Sequence, residues 1–192
     1  MMKKAALLIF ALLVSLPALA QDYDRKEWLP RWNAGETWGD RLDTRQELLV
    51  ERSVVPVTIE CTKRRCKVAS GRWVDDYTGQ EIVAETADEV ALRATIEHVI
   101  PLSEAHRAGG ACWSKDRKRA FANNKSLLLI VSRSKNASRN DDDIFIPWHR
   151  PCRYIETYIR GKAENGLNYD LREASFYAEQ SRVCGLGMLP EL

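Results

Sequence analysis

Apolar and polar positions divide this chain into a leader and a body. Ala5 to Pro17 is an almost unbroken apolar run behind Lys3 and Lys4, and Ala18-Leu19-Ala20 follows it. A basic start, a short apolar core and an A-x-A site form the pattern of a cleaved export signal, and the run is short for a membrane span. The expected products are a signal peptide, 1–20, and a mature chain, 21–192, that begins at Gln21. No later segment is apolar enough to cross a bilayer. The mature length suits one domain with a real core, secreted or periplasmic.

The body mixes strand-like and helix-like periods. Asp22 to Trp38 is irregular but rich in aromatic residues, whose rings are expected to be buried. Asp43 reads as the N-cap of a helix through Val50, with Gln46 placed for a capping box. Val54 to Glu60 and Lys67 to Val74 read as a hairpin, and Glu81 to Ala84 as a third short strand. Thr86 and Glu89 box a helix over 87–93, which leads into Thr95-Ile96-Glu97-His98-Val99-Ile100, a β-branched strand ended by Pro101. Ser103 and Ser114 read as caps of two short helices, the first stopping at Gly109-Gly110. Leu127 to Val131 is a purely apolar, buried strand, and Ser132 to Asp143 a polar stretch. Pro151 opens a helix striped with Tyr154, Ile155, Tyr158 and Ile159, which Gly161 is expected to end or weaken. Asp170 and Glu173 cap a last helix toward Val183. The fold class is α+β.

Charge narrows the partners only locally. Without Lys3 and Lys4 the 29 basic residues fall to 27, equal to the 27 acidic ones. A polyanion site must therefore be a patch. Arg107, Lys115, Arg117, Lys118, Arg119, Lys125, Arg133, Lys135 and Arg139 form such a run, interrupted only by Asp116. Runs of this kind are usually solvated faces, but this one follows Glu97-His98 directly, as a phosphate-backbone footprint would.

Cysteine usage fits export. Cys61, Cys66, Cys112, Cys152 and Cys184 are odd in number, so one thiol is free or pairs between chains. Cys61 and Cys66 flank the hairpin loop Thr62 to Arg65 and either join each other or reach separate partners. As half of a zinc site they lack a second pair.

Phosphodiester hydrolysis needs a base for water and a cation for the charge growing on phosphate and leaving oxygen. Neutral imidazole suits the base. His98 is the one histidine in a suitable setting; His106 reads as an exposed helix residue and His149 as a packed turn residue. Taken alone, Glu97-His98 reads better as an ordinary strand-end pair. Strand alternation points neighbours to opposite faces, so both reach one site only if the strand ends or bends there.

Longer motifs change that balance. Ile96-Glu97-His98-Val99-Ile100-Pro101-Leu102-Ser103-Glu104-Ala105 resembles the acidic-His-hydrophobic-Pro-Leu-x-Glu-Ala segment of secreted HNH-type endonucleases, of the ββα-metal (His-Me finger) group. Asp43-Thr44-Arg45-Gln46-Glu47, Gly71-Arg72-Trp73, Tyr77-Thr78-Gly79, Trp113-Ser114 with Arg117, Phe121-Ala122-Asn123, Leu128 to Asn136 with Ser138 to Asp141, Cys152-Arg153-Tyr154 and Lys162 resemble further family elements in the same order. The resemblance implies a ββα-metal core with added helices and short antiparallel strands. It implies His98 as general base, Asn136 as metal ligand, Glu97 as second ligand, directly or through water, and Arg117 as a catalytic phosphate contact. Arg45, Lys135 and Arg139 are further phosphate candidates. The cofactor implied is Mg²⁺, or another divalent cation such as Mn²⁺ or Ca²⁺. Cys66 and Cys152 match the family pattern and are expected to be structural, bonded to each other. The chain departs from the pattern at Glu97, where many relatives carry Asp, at Arg139-Asn140 in place of Lys-Gly, and at Phe145, which stands where a third histidine would follow Asn136.

The expected function is exported, metal-dependent cleavage of DNA, with RNA as a further substrate. Little sequence specificity is expected, since no base-reading module is present. Two alternatives remain: a disulfide-stabilised binding module without catalysis, and a nuclease toxin with a cognate inhibitor protein. Trp73 and Trp113 read as core rather than base-stacking platforms. Oligomeric state has no signature in the chain.

Overall fold

A computed structural model describes residues 22–33, 41–139 and 144–187. The expected signal peptide, Trp38 and Asn140 to Asp143 lie outside the described residues. The elements run α1 (Arg25–Trp28), α2 (Thr44–Arg52), β1 (Thr58–Cys61), β2 (Cys66–Val74), β3 (Glu81–Ala84), α3 (Ala87–Arg93), β4 (Ala94–His98), α4 (Leu102–Arg107), α5 (Lys115–Ala122), β5 (Leu128–Ser132), α6 (Arg133–Arg139), α7 (Pro151–Asn165) and α8 (Leu171–Val183). This is a mixed α+β arrangement with small antiparallel sheets. β1, β2 and β3 form one sheet in that order; β4 and β5 form the other, with His98 opposite Leu128 and Ala94 opposite Ser132.

The caps explain where the helices start. Asp43 accepts from the Gln46 amide, Thr86 from Glu89, Ser114 from Arg117 and Asp170 from Glu173, each satisfying an N–H that the first turn leaves open. The Gln46 side chain does not complete a box; its Oε1 takes the Val68 amide at 2.8 Å and ties α2 to β2. Ser103 is no cap either. Pro101 holds the N-cap position of α4, and Ser103 lies within its first turn. Gly161 sits inside α7 rather than ending it. A Cβ there would meet Leu127 Cδ2 at 2.6 Å and Ile100 Cδ1 at 3.0 Å, so the helix uses its bare backbone to approach the core. Gly166, at φ 62°, ends the helix instead.

β4 and β5 lie between two hydrophobic clusters. Ala94, Ile96, Leu128 and Ile130 belong to the cluster built with Leu48, Leu49, Val68, Trp73 and Ile82. Val131, with Val99 and Ile100 just past β4, belongs to the other, built on Trp28, Phe121, Tyr154, Tyr158 and Tyr177. Strand alternation thus feeds both cores from one pair of strands. Trp73 is buried and donates Nε1–H to the Leu49 carbonyl, whereas Trp113 is half-buried beside Trp28 and Phe121. Among the described residues, no helix is long and apolar enough to cross a membrane.

The cysteines pair Cys61 with Cys66 and Cys152 with Cys184, leaving Cys112 free and exposed. The expected Cys66–Cys152 bond is therefore corrected. The first bridge closes the β1–β2 hairpin, and the second ties the start of α7 to the end of α8. His106 also departs from expectation. It is buried, edge-on to Tyr23 and tilted against Trp28, because α1 folds over α4.

Candidate functional site

His98 is the last residue of β4. Its Nε2 lies 2.8 Å from the carbonyl oxygen of Ala122, at the C-terminal end of α5. A carbonyl only accepts, so Nε2 carries the proton and Nδ1 keeps the lone pair; the tautomer follows from the partner. Trp32 stacks on the ring with 5.9 Å between centroids and planes 9° apart. The residue as a whole is 4% exposed. Burial holds its pKa down to about 4; the Ala122 bond opposes that shift, and the Arg25 and Arg139 charges add to it. At neutral pH the ring is an uncharged base with a fixed orientation.

Glu97 precedes it and points the other way, as strand alternation requires. Its Oε1 is 3.2 Å from Nη1 of Arg139 on α6. Because β4 ends at His98, both residues still line one open cleft of ≈ 270 Å³, together with Arg25, Thr95, Pro101 and Asn136. α6 leaves β5 without a loop, Ser132 to Arg133, which sets Asn136 over this cleft. Asn136 is half-buried inside the helix, so a helix N-cap does not describe it. Among the described residues its carboxamide has no hydrogen-bond partner.

The donor set fits a hard divalent cation that keeps most of its waters. A carboxylate and an amide oxygen share the cleft, and Mg²⁺ is commonly held by one or two protein groups plus waters and substrate phosphate. Among the described residues there is no group of three or more His, Cys, Asp and Glu side chains able to form an all-protein cage.

The other candidates lie elsewhere. Arg139 is buried. Its Nη1 donates to Tyr77 Oη at 2.9 Å, to the His98 carbonyl at 2.8 Å and to Glu97, while Nη2 donates to the Val99 carbonyl at 3.0 Å. It fixes the end of β4 against α6 and is not turned out to a phosphate. Arg45 is turned into the fold rather than toward the cleft. Its Nη2 donates to the Ala94 carbonyl at 2.9 Å, where α3 passes into β4. Arg117 stacks on Trp113 at 4.1 Å and donates to the Asn165 carbonyl at the end of α7, away from the cleft. Lys135 is exposed and lines a different groove from Asn136.

The basic run is likewise not one surface. Arg107 pairs with Glu104 at 2.9 Å, Lys118 with Glu27 at 2.9 Å and Lys125 with Glu47 at 2.8 Å and with Glu51. Sequence spacing cannot show such pairing, because the acidic partners Glu27, Glu47 and Glu51 are distant in the chain.

Two residues at the site had no signal in the sequence. Arg25, which lines the cleft, and Trp32, which stacks on His98, come from the irregular aromatic-rich segment, where no period or motif marks them. Among the described residues, the Arg25 guanidinium has no carboxylate partner. A third feature, beside the site, is the buried group of Lys162, Glu104 and Glu173. Lys162 Nζ contacts Glu104 at 2.7 Å, the Asn168 carbonyl at 2.9 Å and the Glu173 carboxylate, which also accepts from Tyr158. It locks α4 to α7 and α8, and so fixes the turn that follows His98.

No protein-family model matches the chain, and no solved structure matches it. The chain is similar to a protein of Arthroderma benhamiae described as an uncharacterized secreted protein, with 27% identity over 175 residues that cover 88% of this chain and 79% of that protein.

Proposed function

We propose that this protein is an exported, metal-dependent endonuclease of the ββα-metal type, cutting DNA, and RNA as a further substrate, with little sequence specificity. The observation that carries the reading is the placement of His98. A neutral imidazole, its Nε2–H held by the Ala122 carbonyl, lines one cleft with the oxygen donors Glu97 and Asn136. The antiparallel strand pair β4–β5 with α6 directly after β5 supports the ββα part of this reading. Export is supported by the leader pattern, the two disulfides and the relative's description as secreted.

In this reading His98 Nδ1 takes the proton from the attacking water, with Nε2–H and Trp32 fixing the ring. Glu97 and Asn136 would hold a divalent cation, which when bound offsets charge developing on the phosphate and leaving oxygen. Arg139 holds Glu97 and the β4 carbonyls in place. Arg25, on the cleft rim, takes the phosphate-contact role expected of Arg117. The test is incubation of plasmid DNA and of structured RNA with the mature protein, in Mg²⁺ and in EDTA. Cleavage in Mg²⁺ that stops in EDTA supports the proposal. A purified, folded protein that cleaves neither polymer with Mg²⁺, Mn²⁺ or Ca²⁺ removes it, and leaves the binding module as the better account.

A further inference from the structure

α6 separates two grooves. Asn136 and Ala137 face the His98 cleft, and Lys135 and Ser138 face a second groove of ≈ 350 Å³. The second groove is walled by Tyr77, Phe145 and Trp148. Tyr77 and Phe145 are packed together, with centroids 4.6 Å apart. Trp148 is different: it is 92% exposed, the most exposed large apolar side chain described. Its backbone is not loose. The amides of Trp148 and His149 both donate to the Tyr77 carbonyl, at 2.9 and 3.0 Å. An indole on an anchored backbone is thus held out in water at the lip of an aromatic groove, where folding gains nothing from it.

The polar groups around this groove select an occupant. Lys135 adds a positive charge, and Thr78, Gln80 and Ser138 add hydrogen-bonding groups. An aliphatic or lipid ligand would have no use for these. A nucleobase has: a flat face for the indole, polar edges for amide and hydroxyl groups, and a flanking phosphate for the lysine. The groove volume lies in the range of small-ligand pockets and suits one nucleotide. Lys135 and Asn136 are adjacent on one helix about 10–12 Å across, so a strand crossing α6 reaches both grooves. A paired base in a duplex keeps its face covered by its neighbours and cannot lie on Trp148.

We propose that the Tyr77–Phe145–Trp148 groove binds an unpaired nucleobase of the strand whose phosphate enters the His98 cleft, so that the protein prefers single-stranded or locally unpaired nucleic acid. This rests on the nuclease reading of that cleft. The experiment is fluorescence anisotropy of fluorescein-labelled dT10, and of a labelled ten-base-pair duplex, with the full mature protein in EDTA, alongside Mg²⁺-dependent cleavage of plasmid and single-stranded DNA. The expected result is tighter binding of dT10 than of the duplex. Trp148→Ala weakens dT10 binding by roughly ten-fold or more, and Trp148→Phe, which keeps an aromatic face, recovers most of it. Equal dT10 affinity for wild type and Trp148→Ala, in a protein that still cleaves, overturns the stacking groove and leaves the nuclease reading standing. Duplex bound more tightly than dT10 overturns it as well. A wild-type protein that cleaves nothing removes the reading beneath it.

Discussion

His98 shows how burial of one side chain makes stability depend on pH. An unfolded histidine titrates near its ordinary pKa of about 6.5, and burial holds the folded one down to about 4. Above the unfolded value both states are neutral and His98 adds no pH dependence. As pH falls below it, the unfolded chain binds the proton first, so stability declines until the folded ring also titrates, by about 3 kcal/mol in all. Urea unfolding between pH 7 and 4 should show this decline, and His98→Gln should remove that part of it. Asn136 and Arg139, three residues apart on α6, should behave oppositely. Asn136→Ala deletes a carboxamide that has no hydrogen-bond partner among the described residues and should leave the urea midpoint nearly unchanged, while cleavage falls by roughly 10²-fold, the scale of one lost pre-organised electrostatic contact. Arg139→Met removes the donor from the His98 carbonyl and the Tyr77 hydroxyl, leaves the Val99 carbonyl to Tyr154 alone, and should cost about 3 kcal/mol in the same unfolding experiment. A large destabilisation by Asn136→Ala would mean that its side chain is structural.

At the scale of elements, local chemistry was legible and tertiary substitution was not. Asp43, Thr86, Ser114 and Asp170 were readable as caps because an N-cap is set by a residue and the turn after it. The β-branched run at 95–100 and the apolar run at 127–131 were readable as strands for the same reason, and the strands themselves run Ala94–His98 and Leu128–Ser132. Gly161 was misleading. Its propensity predicts a weak or ended helix, but packing decides: Leu127 and Ile100 fill the space a methyl group would need. Gly161→Ala should therefore destabilise by about 1–3 kcal/mol despite alanine's better helix propensity, read as a lower urea midpoint with unchanged slope. A gain in stability would show that α7 does not approach the core so closely. α6 was hidden in a polar stretch with no apolar stripe. It is placed by Arg139, which reaches under the end of β4, and no period records such a contact.

Across the whole molecule, motif and charge density fare differently as guides to what folding brings together. Glu97, His98 and Asn136 were marked by motif, and they line one cleft. The basic run was marked by charge density, and folding disperses it: Lys118 and Lys125 meet carboxylates from α1 and α2, and Arg117 caps α7. The phosphate-facing arginine of the account, Arg25, comes from a segment without periodicity that only tertiary packing brings over β4. The disulfide pairing was hidden for the same reason, since Cys184 reaches Cys152 only through the antiparallel return of α8 on α7. What the whole fold builds is a rigid end to β4. Ala122 holds the His98 ring, Arg139 and Tyr154 hold the carbonyls beside it, and the Lys162 group fixes the chain just beyond. That convergence is the physical case for a reacting group at His98. The most direct measurement is the initial rate of Mg²⁺-dependent plasmid nicking by His98→Ala beside wild type, with circular dichroism to establish that both are folded. A general base at His98 requires a fall of roughly 10²–10⁴-fold, the contribution of a positioned general base, and no nicking by either protein in EDTA; a folded His98→Ala variant that nicks at the wild-type rate would contradict that role.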